Sequence, residues 1–154
     1  MTQPAGTSAS SQLLPHDCWA LMSTVHVGRL GFSTNDEQEI FPLNFIADHG
    51  SIVFRTSNST RIMQCLDGRA VAFEADHVGA DEAWSVVAKG TAAAVTGLYE
   101  NLDVAELPVH PLQSGSKPIF VRILVDTISG RRFVPIDTRV WTPSELTGRH
   151  LSSE

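Results

Sequence analysis

Several runs of this sequence alternate apolar and polar residues with a period of two, and this pattern constrains the fold more than any other feature. The alternating runs are 26–33, 40–48, 69–78, 83–95 and 119–126, and a shorter apolar run, IVFRT, covers 52–56. A period of two is typical of β-strands that bury one face. Parallel strands need long crossover helices, and the sequence has none, so we predict antiparallel pairing. The pattern predicts a mainly β (α+β) fold of about six strands in a small barrel with short peripheral helices.

Short segments between these runs have helical periodicity instead. The first extends from Pro15 to about Ser23, with proline at a position that a helix start tolerates. The second covers 59–67 and is followed by Gly68 in the C-cap position. Residues 98–107 form a third candidate helix. These helices are too short to cover both faces of a parallel sheet, which again favours the antiparallel arrangement.

Turn residues separate most of the predicted strands. STNDEQE and DHGS both have the composition of tight turns, and Ser129–Gly130 predicts another turn inside the last apolar run. Within the run 40–48, alternate residues share one face of the strand. The residues that we expect to face the core from this run are Phe41, Leu43, Phe45 and Ala47.

The length of 154 residues accommodates one domain with one core. Residues 1–12 are rich in small polar residues, which predicts a disordered N-terminal tail. The domain itself is expected to cover 13–136, followed by a polar tail over 137–154. A hydrophobic content of 42% with 18% charged residues is typical of globular proteins.

Charge and hydropathy exclude two classes of partner. The net charge of -6, with only 11 scattered basic residues, disfavours binding to a nucleic-acid backbone. No apolar run approaches the roughly 20 residues that cross a bilayer, and the N-terminal segment lacks the features of a signal peptide. The sequence therefore predicts a cytoplasmic protein that contacts neither nucleic acid nor membrane.

The cysteines and histidines give no pattern of metal ligands. Cys18 and Cys65 are the only cysteines, and we expect them to be buried thiols without a disulfide. The six histidines are dispersed, without the spacing of a zinc site. We expect no bound metal.

The segment FRTSNSTRIMQCLDG, residues 54–68, places an arginine and several hydroxyl residues where a strand gives way to a helix. A helix that begins near Ser59 or Thr60 presents free backbone N–H groups and the positive end of its dipole. Arg55 and Arg61 flank this start, and such a combination is suited to binding phosphate. The alternative is that Asn58 or Ser59 caps the helix while both arginines are solvated.

The motifs GRLGF, PLNFIADHGSIVFRTSNSTR, AVAFEAD, AWSVVAKGTAAAV and ISGRR follow one another in this order between about Leu14 and Val134. In this order and spacing the chain resembles the pyridoxamine 5'-phosphate oxidase-like superfamily of flavin-binding split barrels. The resemblance is closest to the branch that is similar to nitroimidazole-resistance proteins. It implies a six-stranded antiparallel split β-barrel and a homodimer that binds FMN at the subunit interface.

The resemblance also implies roles for particular residues. Arg55, Thr56, Ser59, Thr60 and Arg61 would hold the FMN phosphate; Pro42, Leu43 and Asn44 would run alongside the isoalloxazine; and Trp84 and Ser85 would lie near the flavin of the partner chain. A tryptophan on an alternating strand such as Trp84 packs in the core or at an interface more often than it contacts a ligand. Arg131 and Arg132 have the same alternative, as surface charges.

The implied function is an FMN-dependent oxidoreductase or a flavin-binding redox protein acting on an unidentified small molecule. The catalytic residues are not identified, because a bound flavin carries the redox chemistry itself. Two alternatives remain open: a reductase that uses a deazaflavin, and a flavin- or haem-binding protein without turnover. A serine hydrolase is disfavoured because the sequence contains no G-x-S-x-G motif.

Overall fold

The computed structural model describes residues 10–48, 50–56, 66, 68–97, 108–109 and 119–135. In this part of the chain, one helix described over its whole length and eight strands follow one another. They are β1 (Ser10–Gln12), α1 (Pro15–Met22), β2 (Val27–Thr34), β3 (Glu37–Asn44), β4 (Ile46–Asp48), β5 (Ser51–Thr56), β6 (Arg69–Val78), β7 (Ala83–Ala94) and β8 (Ile119–Phe133). Every strand pair is antiparallel, as the alternation predicts.

The eight strands form a single curled sheet in the order β3-β2-β6-β7-β8-β5-β4, with β1 paired to β8. Strands β3 and β4 lie at opposite ends of this order, yet only Phe45 separates them in the chain. The two ends of the sheet must therefore lie close together, as in a split barrel. Phe45 fixes this junction, since its N–H donates to the carbonyl of His26 at 3.0 Å and its ring packs edge-on against Phe73.

Two tight turns connect neighbouring strands as the sequence predicts. Asn35 and Asp36 form the two-residue loop between β2 and β3, with φ of 44° and 68°. Asparagine and aspartate tolerate this left-handed backbone better than most residues, and it matches the twist of a hairpin. Gly50, with φ of 79°, serves the turn in which Asp48 pairs with Ser51.

The inner face of the sheet lines the main core. On β6 the buried residues are Val71, Phe73 and Ala75, which alternate with more exposed neighbours. On β3 and the residue that follows it, Leu43 and Phe45 are buried as predicted, whereas Phe41 packs against the core only in part. Other large side chains in this core include Leu30, Ile52, Phe54, Val86, Val121 and Ile123.

Helix α1 packs on β8 and closes one side of the core. Cys18 and Met22, one helical turn apart, are both fully buried. Burial raises the pKa of the Cys18 thiol, with a further contribution from the charge of Asp17, so Cys18 behaves as a small apolar residue. The helix begins at Pro15, in agreement with the predicted start.

Three features differ from the sequence-based expectations. The described chain has eight strands rather than six. Phe45 divides the run 40–48 into β3 and β4, and Ser10–Gln12 forms the additional strand β1. That short strand lies within the segment for which the sequence predicts a disordered tail. Ser129–Gly130 is not a turn: both residues lie inside β8, opposite Val87 and Val86.

The glycine at position 130 has a packing role that its neighbours in sequence do not reveal. A Cβ atom there would lie 3.0 Å from Leu13 Cδ1 and from Cys18 Sγ. Glycine is needed because the segment before α1 and the helix itself approach the strand this closely.

Two of the predicted helices lie largely outside the described residues. For the segment 59–67, Leu66 is helical and buried, and Gly68 has the left-handed φ of 73° expected after a helix end. The candidate helix over 98–107 lies wholly outside the described residues. No helix in the described ranges is long and apolar enough to span a membrane.

Candidate functional site

Arg55 and Thr56 end strand β5 and point to opposite faces of the sheet. Thr56 is buried on the same face as Phe54, which belongs to the main core. Arg55 lies on the outer face, and its guanidinium carbon is 5.1 Å from the centre of the Phe120 ring on the neighbouring strand β8. This cation–π contact holds the arginine against the sheet, and Arg55 and Thr56 each make further polar or ionic contacts.

A cavity of about 610 Å³ opens near this arginine. Two of its lining residues, Ile46 and Val109, pack in the same outer-face cluster as Phe120, whose ring lies beneath the Arg55 guanidinium. The cavity and the Arg55 contact therefore adjoin the same outer-face cluster. Its lining is mainly apolar and consists of Met22, Ser23, Val25, His26, Asn44, Phe45, Ile46, Ala47, Pro108 and Val109.

The predicted segment Pro42–Asn44 lies at the end of β3 that meets β5. Leu43 is 9% exposed and faces the core, so its side chain is not available to a ligand. Pro42 and Asn44 lie on the other face of the strand, and Asn44 lines the cavity. The structure thus brings Asn44 and Arg55 to the same region of the outer face.

Trp84 and Ser85 occupy opposite faces of β7. Trp84 is 4% exposed and packs in the main core, whereas Ser85 faces outward. Strand β8 pairs with Arg55 through Phe120 and with Trp84 through Arg132, which are 12 residues apart. At about 3.3 Å per residue, this separation is roughly 40 Å along the strand. One chain therefore does not bring Arg55 and Ser85 together.

The remaining predicted site residues, Ser59, Thr60 and Arg61, lie outside the described residues. The described ranges hold no group of three or more His, Cys, Asp and Glu side chains that could bind a metal ion. The site that can be built from the described chain consists of Arg55, the cavity and Asn44 at its edge.

A charged cluster that the sequence analysis did not identify lies between Pro42 and Ser85 on the outer face. Arg29 donates to Glu74 Oε2 at 2.8 Å and to Asp76 Oδ1 at 3.2 Å. Arg29 also pairs in register with Pro42, and Asp76 with Ser85. Glu74 and Asp76 are two residues apart and so share a face, but the partner strand that carries Arg29 is not evident from the sequence.

Burial and contacts within this cluster shift the pKa values of Glu74 and Arg29. Burial raises the pKa of Glu74, and the hydrogen bond with Asp76 raises it further, against the opposing effect of Arg29. The hydrogen bond to Glu74, followed by the charge of Asp76, raises the pKa of Arg29. Glu74 therefore holds a proton to higher pH than an ordinary glutamate does.

A second ionic network ties the β4–β5 hairpin to β8. Arg122 donates to Asp48 Oδ2 at 3.1 Å and to Ser51 Oγ at 2.6 Å, and Ser51 Oγ donates to the Asp48 carbonyl. The Arg122 and Asp48 side chains are only 23% and 12% exposed. This network fixes the hairpin whose second strand, β5, carries Arg55 next to its last residue.

Three solved structures are similar to the structure of this chain. A candidate pyridoxamine 5'-phosphate oxidase from Corynebacterium glutamicum is 32% identical, with a TM-score of 0.78 over 86% of this chain and 99% of that one. The FAD binding protein from Mycobacterium smegmatis is 29% identical, with a TM-score of 0.72 over 81% and 99% of the two chains. A candidate 5-nitroimidazole antibiotic resistance protein from Bacteroides thetaiotaomicron is 11% identical and shares the fold, with a TM-score of 0.65 over 81% and 89%.

The family is identified by a match between this sequence and a family model. No curated protein matches this sequence. The family model described as pyridoxamine 5'-phosphate oxidase matches residues 15–132, which extend from the start of α1 almost to the end of β8. The match includes all the strands except β1, together with the cavity and the Arg55 contact. The chain belongs to the pyridoxamine 5'-phosphate oxidase family.

Proposed function

We propose that this chain is a flavin-binding redox protein and acts as an FMN-dependent oxidoreductase on a small molecule. The observation that carries this proposal is the position of Arg55, held over Phe120 beside an apolar cavity that Asn44 lines. Membership of the family supports a flavin as the ligand class, and so does the 29% identical relative, which is named as an FAD binding protein.

The described residues fit the parts of such a cofactor. The cavity of about 610 Å³ lies within the range of small-molecule sites, about 300–1,000 Å³. Its mainly apolar lining suits a flat aromatic ring, and the Asn44 amide can both donate to and accept from the polar edge of that ring. Arg55 supplies a fixed positive charge for the phosphate. Ser59, Thr60 and Arg61 are proposed to complete the phosphate site.

A bound flavin supplies hydride and electron transfer, so the protein needs no acid–base pair of its own for that step. The chain's residues would bind and orient the cofactor. Arg55 would anchor the phosphate, and the apolar wall that includes Val25, Ile46 and Val109 would exclude water from one face of the ring.

We further propose that the site is shared between the two chains of a homodimer. The separation of Arg55 from Ser85 along β8 supports this, because a partner chain can supply Ser85 where the same chain cannot. Trp84 would then act by packing behind Ser85 rather than by touching the flavin, since it is buried in its own core.

The test is a comparison of two single-charge variants. Arg55→Ala should weaken FMN binding at least tenfold, because a charge-assisted contact contributes about 1.5–3 kcal/mol. Arg69→Ala is the matched control: Arg69 is exposed at the start of β6, away from the cavity, and its removal changes the net charge equally. FMN affinity is measured by quenching of flavin fluorescence, and circular dichroism checks that both variants fold. Equal affinities for the two variants would refute the assignment of Arg55.

A further inference from the structure

A broad trough lies on the outer face of β2, β3 and β6. Its volume is about 650 Å³, and none of its described lining residues belongs to the proposed flavin site. Glu74 and its partner Arg29 separate the trough from Ser85 on this face. The residues that matter for its chemistry are Gly31, Ser33, Ile40, Arg69, Ala70 and Ala72, and it is here called the Ile40 trough.

Small residues form the floor of the Ile40 trough, and a large apolar residue stands beside them. Ile40, Gly31, Ala72 and Lys89 lie side by side on four neighbouring strands. A Cβ atom at Gly31 would have only two backbone oxygens within 4 Å, so no described side chain covers the floor at this point. Ile40 itself is 70% exposed. The trough therefore offers apolar surface that another segment can bury.

The cations around the trough are unpaired. Arg69 lines it and Lys89 borders its floor, and both residues are exposed. Neither makes an ion pair or a side-chain hydrogen bond with another described residue, although Arg29, Arg122 and Arg132 all do. Glu39 is the acidic residue of the described lining, and it already has a contact of its own. A segment that combines apolar and negatively charged residues is complementary to this surface.

The C-terminal residues 136–154, which lie outside the described residues, contain such a segment. Val140 and Trp141 are adjacent large apolar residues, and Asp137 and Glu145 lie four residues to either side of Trp141. A tryptophan buries about 150–250 Å² when it is covered, more than most other residues. Trp141 is therefore the residue of this segment that gains most from an apolar trough.

The chain is long enough for Trp141 to reach the trough from the end of β8. Phe133 pairs with Ala83, and Ala83 with Val78, which is six residues from Ala72 along β6. At about 3.3 Å per residue and about 4.8 Å per strand, Phe133 lies roughly 22 Å from Ala72 across the sheet. The eight residues from Phe133 to Trp141 span up to about 26 Å when extended. Trp141 can thus lie over the floor without any change in β8.

We propose that the Ile40 trough is the docking surface of this chain's own C-terminal segment, with Trp141 against Ile40 and the floor, and with Glu145 near Lys89. A segment of the same chain has an advantage over a separate partner, because its attachment gives it a high effective concentration at the trough. The net charge of -6 opposes attraction to an anionic lipid surface. This docking does not depend on the proposed function.

Limited proteolysis of the full-length protein, without flavin, tests the docking. Trypsin cleaves after arginine, and Arg139 lies two residues before Trp141, so docking should protect the bond that follows Arg139. Ile40→Asp should accelerate cleavage at this bond at least tenfold, because the new carboxylate would be desolvated beneath the indole without a partner. Trp141→Ala should accelerate it to the same extent. The double variant should be cleaved no faster than either single variant, since both remove one contact.

The matched control is Leu14→Asp. Leu14 is 69% exposed, almost the same as Ile40, and does not line the trough. Its rate of cleavage after Arg139, measured by mass spectrometry of the fragments, should stay within twofold of the unsubstituted protein. Circular dichroism checks that each variant folds, and Trp141→Ala leaves every described residue unchanged. Equal rates in Ile40→Asp and Leu14→Asp, or a rate in Trp141→Ala equal to that of the unsubstituted protein, would overturn the proposal.

Sedimentation velocity of the same variants recognises a different occupant. If a second copy of the chain covers the trough, Ile40→Asp lowers the sedimenting mass to that of one chain and leaves cleavage after Arg139 unchanged, which overturns the proposal. The proposal predicts the opposite, an unchanged mass and faster cleavage. Failure of the proposed flavin site is recognised separately, because it abolishes FMN binding in the unsubstituted protein while the protection of Arg139 persists.

Discussion

Replacing Gly130 with alanine should destabilise the protein although the residue lies in a regular strand. The new Cβ would lie 2.9 Å from the carbonyl oxygen of Ser85 and 3.0 Å from both Cys18 Sγ and Leu13 Cδ1. These contacts are tighter than ordinary van der Waals contacts, about 3.5–4.0 Å between carbon atoms, so the neighbouring atoms must give way by a few tenths of an ångström. Ser85 O belongs to the backbone of the paired strand β7, so the segment around α1 has to shift. Overpacking of this kind costs about 1–3 kcal/mol.

Gly31→Ala provides the matched control for this experiment. Gly31 also lies inside a strand, but the nearest atoms to its added Cβ are Ala72 O at 3.7 Å and Glu39 O at 3.9 Å. Alanine fits there, so the substitution should stabilise by about 0.4–1 kcal/mol through the unfolded chain. Urea unfolding followed by tryptophan fluorescence measures both changes, and each kcal/mol corresponds to about 2–4 °C in Tm. If Gly130→Ala is as stable as Gly31→Ala, the close packing of α1 on β8 is wrong.

Further substitutions test the ionic networks. Glu74→Gln should gain stability relative to the unsubstituted protein as pH rises above 4.5. The raised pKa of Glu74 stabilises the folded state only while the carboxyl keeps its proton, whereas glutamine does not titrate. The unfolding free energies of the two proteins, measured from about pH 4 to pH 7, should therefore diverge in favour of Glu74→Gln, and a constant difference would contradict this. Arg122→Ala should cost about 2 kcal/mol or more, since it leaves the poorly exposed Asp48 without this partner. Arg132→Ala, which breaks the exposed pair with Glu82, should cost at most about 1 kcal/mol, and equal unfolding free energies for the two alanine variants would contradict the account.

The strands could be predicted because a period of two is a local property of the sequence. Val71, Phe73 and Ala75 are buried on one face of β6 as their alternation indicates. The predicted hairpin at STNDEQE also formed, since Asn35 and Asp36 favour its backbone through their own short side chains.

Features that depend on distant parts of the chain were not predictable in this way. Gly130 next to a serine has the composition of a turn, but its role is set by Leu13 and Cys18, more than 100 residues earlier. The division of run 40–48 at Phe45 depends on β3 and β4 having different partners.

In the candidate site, too, local sequence predicts some residues, whereas others depend on which strands are neighbours. Arg55 at the strand end was proposed from the local sequence. Asn44 was proposed from the resemblance to the family. The Arg29–Glu74–Asp76 cluster was not identified, because it is assembled by the register of β2 against β6. Sequence alternation assigns residues to a face but does not say which strands are neighbours on that face.

Sedimentation velocity of the full-length protein with FMN, detected at the flavin absorption near about 450 nm, tests the central proposal most directly. The account predicts that the flavin absorbance sediments with the protein, at a mass of about twice 16.7 kDa. Flavin absorbance that remains with the small molecules while the protein sediments would contradict the flavin site, and flavin that sediments at the mass of one chain would contradict the shared site.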